Sequence, residues 1–197
     1  MPVTQQFDYQ WQKNGAKIYH IANATELPEV LQQIIPYDDR NNARANTIVV
    51  TGLPDAWGQV LRRLWEPDQL VVWKSDEDAE AFCRNCAQAS VGITGCAWAA
   101  ADTGSVTLYG TRANSLLPSL LPPVHVVILS ASQIFPTFAE GLAYVQSSLQ
   151  EGPHSVSPPF IKIIAGPSMT GDIEGQLITG VHGPKDLYAI VIEKSLV

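Results

Sequence analysis

From Ala16 to Cys86 the chain alternates short apolar strands with amphipathic helices, and no other feature restricts its fold as much. Ala16 to Ile21 alternates as a strand, and Leu27, Val30, Leu31, Ile34 and Ile35 then recur at helical spacing. Thr47 to Thr51 reads as a second strand, turned by Gly52-Leu53-Pro54. Asp55 stands as N-cap to a helix with Trp57, Val60, Leu61 and Leu64 on one face. Gln69 to Trp73 is a third strand, and Ser75 is placed to cap the next helix. That helix carries Ala79, Phe82, Cys83 and Cys86 on one stripe. Strand–helix alternation of this kind predicts a largely parallel sheet covered on both faces.

The second half is less regular. Val91 to Thr94 and Ser105 to Tyr109 are strand-like, and the spacing suits strand–turn–strand pairing with Asp102 to Gly104 near the bend. Thr111 to Pro123 reads as a long loop containing Arg112. His125 to Leu129 is a buried strand, and Pro136 opens a helix bearing Phe138, Leu142, Val145 and Leu149. Phe160 to Ala165 reads as another buried strand, ended by Gly166-Pro167. Ile173, Leu177 and Ile178 predict a helix after it, and Leu187 to Glu193 a last strand. The expectation is one α/β domain over residues 1–197, with seven or eight strands.

The chain's 197 residues, 46% of them apolar, suffice for one sizeable core. Its net charge of −7 and the lack of a basic run exclude nucleic acid as an expected partner. No apolar run approaches ~18 residues, so no membrane span is expected. Met1 to Gln6 has no signal-peptide character, and the expected location is cytoplasmic. Cys83-Arg84-Asn85-Cys86 has the spacing of a metal or redox pair, but without a second such pair it reads as a buried helix stripe. Neither a metal nor an iron–sulfur cluster is expected in this chain.

Two polar, glycine-rich segments remain: Gly166-Pro167-Ser168-Met169-Thr170-Gly171-Asp172-Ile173-Glu174 and Gly180-Val181-His182-Gly183-Pro184. Read as a strand–loop–helix junction, the first offers backbone N–H groups and a helix dipole to an anion, with Ser168 and Thr170 adding hydroxyls. A junction of this type belongs at the carboxyl ends of the parallel strands. Asp172 is a candidate acid/base group if it faces the site, and His182, between glycines, a candidate proton carrier. Arg112 is placed to pair with a carboxylate. His125, opening a buried strand, reads as a satisfied structural histidine.

Taken together, Ala101-Asp102-Thr103-Gly104-Ser105, Arg112, Ser115-Leu116-Leu117-Pro118, His125 and the Gly166 and Gly180 segments resemble the LutC/YkgG family of lactate-utilisation proteins, also called LUD-domain proteins. The resemblance runs from about Ala16 to the C-terminus and is most specific in the GPSxTxDIE and GVHGP motifs. It implies a Rossmann-like, mostly parallel sheet with helices on both faces, of the NagB/RpiA/CoA-transferase type. It implies a role in oxidising L-lactate to pyruvate as a subunit without redox cofactors, beside iron–sulfur partner subunits. Asp102-Thr103-Gly104 is similar to the Glu-Asn-Gly loop with which related CoA-transferases present a nucleophile. The family usually has Glu where this chain has Asp102, and a carboxylate drawn back by ~1 Å would lose roughly 100-fold in rate if it must touch a reacting atom. Many members also carry a further leading helix, a difference that bears on assembly.

The candidate catalytic groups are therefore Asp102, Asp172 and His182. The candidate binding residues are Thr103, Gly104, Arg112, Gly166, Pro167, Ser168, Thr170 and Gly183, for a small ligand bearing carboxylate or phosphate. Three uses stay open: a subunit of a lactate-oxidising assembly, a stand-alone isomerase or CoA-transferase-like enzyme using Asp102, and a binding module without chemistry. As a turn residue bonding the backbone beside it, Asp102 is explained without any chemistry, and that is the stronger reading of the two.

Overall fold

The computed structural model describes residues 1–35, 47–75, 78–150, 160–171 and 177–194. Its elements run α1 (Val3–Lys13), β1 (Lys17–Ile21), α2 (Leu27–Ile34), β2 (Ile48–Thr51), α3 (Asp55–Leu61), β3 (Leu70–Val72), α4 (Ala79–Gln88) and β4 (Val91–Gly95). They continue with β5 (Trp98–Ala100), β6 (Ser105–Gly110), β7 (Val124–Ser130), β8 (Ile134–Phe135), α5 (Phe138–Gln150), β9 (Phe160–Ile164), β10 (Met169–Gly171), β11 (Leu177–Thr179) and β12 (Asp186–Ile192).

Six strands form one all-parallel sheet in the order β1-β12-β7-β4-β2-β3. Its four inner strands β12, β7, β4 and β2 are buried on both faces, as their near-continuous apolar sequences require, while the edge strands β1 and β3 are only partly covered. Ile48, Val50, Ile93, Ile128 and Ile190 turn to one face and pack against Leu27, Leu31, Trp57 and Leu61 of α2 and α3. Val127, Leu129, Ala189 and Val191 turn to the other and meet Phe7 and Trp11 of α1. Phe82 and Cys86 of α4 pack on Val49 on that second face. Each fully buried aliphatic side chain here contributes roughly 1.5–3 kcal/mol.

A second sheet, ordered β8-β5-β6-β9, lies over the second face. Val106, Leu108 and Ala99 share a core with the large sheet, while Trp98 and Val145 pack on the far side. The large parallel sheet with its α2/α3 and α4 layers follows the sequence expectation. The bend expected at Asp102–Gly104 is present, in the antiparallel β5–β6 hairpin, but a separate, mostly antiparallel sheet around it was not expected; that sheet and the β10–β11 hairpin raise the strand total among the described residues to twelve.

Several local expectations are corrected. α1 was not foreseen, although Phe7 and Trp11 are fully buried at helical spacing. Asp78, rather than Ser75, caps α4, accepting from Glu80 N at 2.9 Å and Ala81 N at 3.3 Å. On α4, Phe82 and Cys86 are buried, whereas Cys83 is exposed. Asp55 makes no side-chain cap; Pro54 precedes α3 instead. β9 is not a buried strand: Phe160, Ile161 and Ile163 are 68%, 50% and 51% exposed. Among the described residues it pairs only with β6, and α5 covers β5 and β8 instead.

The largest correction concerns the Gly166 segment. Among the described residues no helix follows it: Met169–Gly171 pairs antiparallel with Leu177–Thr179. Leu177-Ile178-Thr179, with a β-branched pair, suits an extended backbone. The helix dipole invoked for anion binding is therefore not available at Leu177 and Ile178. Asp172, Ile173 and Glu174 lie outside the described residues.

Candidate functional site

The two glycine-rich segments meet directly. Ser168 N donates to Pro184 O at 2.9 Å, and Gly180 N donates to Ser168 O at 2.8 Å. Together they border a pocket of about 240 Å³ between the two sheets, with Gly166, Pro167, Ser168, His182 and Gly183 in its wall. His125 and Leu187 also line it, and these residues open β7 and β12. The pocket thus sits at the amino ends of the parallel strands, opposite to the end expected from doubly wound sheets.

Gly92 shapes this end of the sheet. A Cβ there would lie 1.8 Å from Pro118 O, so only glycine lets the turn at Leu117–Ser119 settle on β4. That turn buries Ser119 beside Lys162 of β9. The Lys162 ammonium donates to Ser119 O and to Ser119 Oγ, each at 2.9 Å. Ser119 Oγ donates in turn to Leu116 O at 2.7 Å. An ammonium has three N–H donors, so one stays available to a ligand. Burial pulls the Lys162 amine down to about 8, so it still carries a proton at neutral pH.

His125 is wholly buried. Its Nε2 shares a 2.9 Å hydrogen bond with Thr94 Oγ1, while its Nδ1 has no partner among the described residues. Burial, reinforced by the Lys162 charge, lowers its pKa to about 3, so the ring is neutral. The sequence reading of a satisfied histidine holds for one nitrogen only. A buried polar atom without a partner is uncommon and calls for a ligand or water.

The pocket therefore combines one partly buried cation, one neutral imidazole with a free nitrogen, the Ser168 hydroxyl and the His182 ring. A carboxylate can bond the free Lys162 N–H, and an adjacent hydroxyl or carbonyl oxygen can meet His125 Nδ1. The volume equals roughly eight waters at ~30 Å³ each, and lies below the ~300 Å³ at which drug-sized pockets begin. It suits a small acid.

Other sequence-selected residues lie elsewhere. Thr170 sits on β10 opposite Ile178 and does not line the pocket. Asp102 lies at the exposed β5–β6 turn, where its carboxylate accepts from Phe138 N at 3.0 Å and so caps α5. Thr103 Oγ1 is bonded to Ser105 Oγ at 2.7 Å. Asn14 Nδ2 donates to Thr103 O at 2.9 Å and Gly104 O at 3.3 Å, while a Cβ on Gly166 would stand 2.7 Å from Asn14 O. The Gly104 and Gly166 loops are thus joined through Asn14 without sharing the pocket. Arg112 Nε donates to Ser75 O at 3.3 Å, away from it. Lys162 and Ser119 were missed by the sequence reading; a lone lysine in an apolar strand, Phe160-Ile161-Lys162-Ile163-Ile164, was the available signal.

This geometry defines a two-sheet α/β domain with a small polar pocket. The profile of the LUD domain family matches residues 4–192, and the chain belongs to that family. It is 31% identical over 160 residues to lactate utilization protein C of Bacillus licheniformis, covering 81% of this chain and 62% of that protein. The protein of the same name from Deinococcus radiodurans is 30% identical, covering 96% of this chain and 79% of that one. Escherichia coli YkgG, described as uncharacterized, is 33% identical over 68% of this chain and 57% of its own length. The chain thus spans about three fifths of the Bacillus licheniformis and Escherichia coli relatives. A crystal structure of a DUF162 family protein from Deinococcus radiodurans has the same fold, with a TM-score of 0.66, 24% identity and 96% coverage of both chains. Among the described residues no helix is long and apolar enough to cross a membrane.

Proposed function

We propose that this chain is a non-redox subunit of a system that oxidises L-lactate to pyruvate, and that the pocket between its sheets binds these acids. The observation that carries the reading is the Lys162 ammonium, held by Ser119 with one donor free, beside the unpartnered Nδ1 of His125. Relatives named lactate utilization protein C supply the choice among small acids. Iron–sulfur subunits are the expected partners, since electrons removed from lactate need an acceptor and this chain is assigned none. A cytoplasmic location and a place in the NagB/RpiA/CoA-transferase fold group belong to the same reading, the latter supported by the six-stranded parallel sheet. Ser168, His182 and the Gly166-Pro167 and Gly183 backbone complete the binding wall, and Asp102 is assigned to the α5 cap.

The experiment is thermal unfolding of the purified chain against L-lactate, pyruvate, coenzyme A and sugar phosphates. A ligand at ~100 times its dissociation constant adds roughly 2.7 kcal/mol. A raised midpoint with lactate or pyruvate alone is expected. A rise only with coenzyme A, lost in Asp102→Ala, would replace this reading with the transferase one.

A further inference from the structure

We infer a second ligand site at the opposite end of the sheet, built for a phosphate-bearing molecule of nucleotide size. The chain passes from β2 outward to β3, then returns to place β4 on the other side of β2. Strand order reverses there, and loops diverging from the carboxyl ends of such neighbours leave a crevice. Two glycines end these strands. Gly52 has φ +67°, and a Cβ on Gly95 would fall 1.9 Å from Gly52 O, so no side chain fills the gap between them. The loop after β6 crosses above, anchored where Ser115 N donates to Thr51 Oγ1 at 3.1 Å.

Three hollows of about 420, 230 and 100 Å³ result, and Gly52 and Asn114 border all of them. The largest is walled by Arg62, Lys74, Gln59, Trp73 and Asp55. Arg62 and Lys74 make no ion pair among the described residues, and the Gln59 and Asn114 amides make no hydrogen bond there. Two unpaired cations on one hollow of a chain of net charge −7 do not follow from a generally basic surface. Among the described residues Asp55 is the one carboxylate in that wall, and its charge leaves the two cations in excess.

Arg offers paired N–H groups to a phosphate and Lys a point charge. Trp73 adds an aromatic wall of fixed orientation, its Nε1 donating to Arg112 O at 3.0 Å and its ring 4.8 Å from that of Phe82. A charged hollow with an aromatic wall, opening beside two further hollows, fits a phosphate with a planar base attached. The small-acid pocket at the amino ends is separate from it and shares none of these residues.

The test is calorimetric titration of the intact chain with ADP and with pyrophosphate. ADP is expected to bind more tightly than pyrophosphate. The Arg62→Ala/Lys74→Ala double variant, both changes at exposed positions, should weaken ADP at least tenfold while its pyruvate-induced thermal shift persists. Lys162→Met should bind ADP as the wild type does. No heat from either probe at millimolar concentration, or equal ADP affinity in the double variant, would overturn the site. Equal affinity for the two probes would overturn its nucleotide size.

Discussion

Replacing Lys162 by Met should make the unliganded protein more stable at neutral pH while removing its response to pyruvate. Burial lowers the Lys162 amine from 10.5 to about 8. A shift of that size corresponds to roughly 3 kcal/mol between protonation states. Because water still reaches part of the group, ~1–2 kcal/mol is the better figure. The sign follows from proton counting. Between pH 8 and 10.5 the unfolded chain holds a proton on this amine that the folded chain has released. Stability from this group therefore rises across that window and is lowest below it. Met keeps most of the stem's packing and removes the buried charge, but leaves Ser119 O without its donor, a loss of ~1 kcal/mol. The net gain at pH 7 is at most about 1 kcal/mol, or up to about 2–4 °C for a chain of this size. Above pH 10.5, where both states are neutral, only the lost hydrogen bond remains and the variant should be the less stable by ~1 kcal/mol. Urea unfolding of both proteins at pH 7 and pH 10.5 reads this out directly. A variant less stable than wild type at pH 7 would refute the reasoning, because Lys162 would then pin the structure rather than hold a cation ready.

Other substitutions test other parts of the account. Gly92→Ala forces a Cβ to within 1.8 Å of Pro118 O and should destabilise by ~1–3 kcal/mol, so an unchanged urea midpoint would contradict the close packing of that turn. Asp102→Ala removes the carboxylate that accepts from Phe138 N and should lower stability by ~1 kcal/mol without changing the pyruvate shift. His20 bonds Glu193 at 2.7 Å and Asp8 at 3.0 Å; burial opposes its charge, but these carboxylates outweigh burial and raise its pKa. Its stabilisation is therefore complete below pH 6.5 and lost as pH rises through the raised value, so His20→Gln should be destabilising at pH 5.5 and near neutral at pH 9.

The parallel sheet was legible because Val49 and Val50, or Val127 and Ile128, sit in apolar runs flanked by helical stripes such as Leu27, Val30, Leu31 and Ile34. Those two periodicities fix strand and helix without reference to the rest of the chain. The bend of the β5–β6 hairpin was legible at Asp102–Gly104, but the rest of the second sheet and the β10–β11 hairpin were not, because their strands are short and a helical spacing at Ile173, Leu177 and Ile178 was the apparent signal. Half of the candidate site was visible as loops, in Gly166, Pro167, Ser168, His182 and Gly183. Its charged half was not. Lys162 becomes a site residue only through pairing of β9 with β6 and the approach of Ser119, which depends on the missing side chain at Gly92. His125 was recognised as buried, but the single hydrogen bond it makes depends on Thr94, a residue 31 positions away.

The most direct measurement is calorimetric titration of pyruvate into the wild-type chain and into Lys162→Met at pH 7. Saturable binding by the wild type, weakened at least tenfold in the variant, is the predicted result. Equal affinity in the two proteins would contradict the assignment of the pocket between the sheets, and no binding by the wild type would contradict its use for these acids.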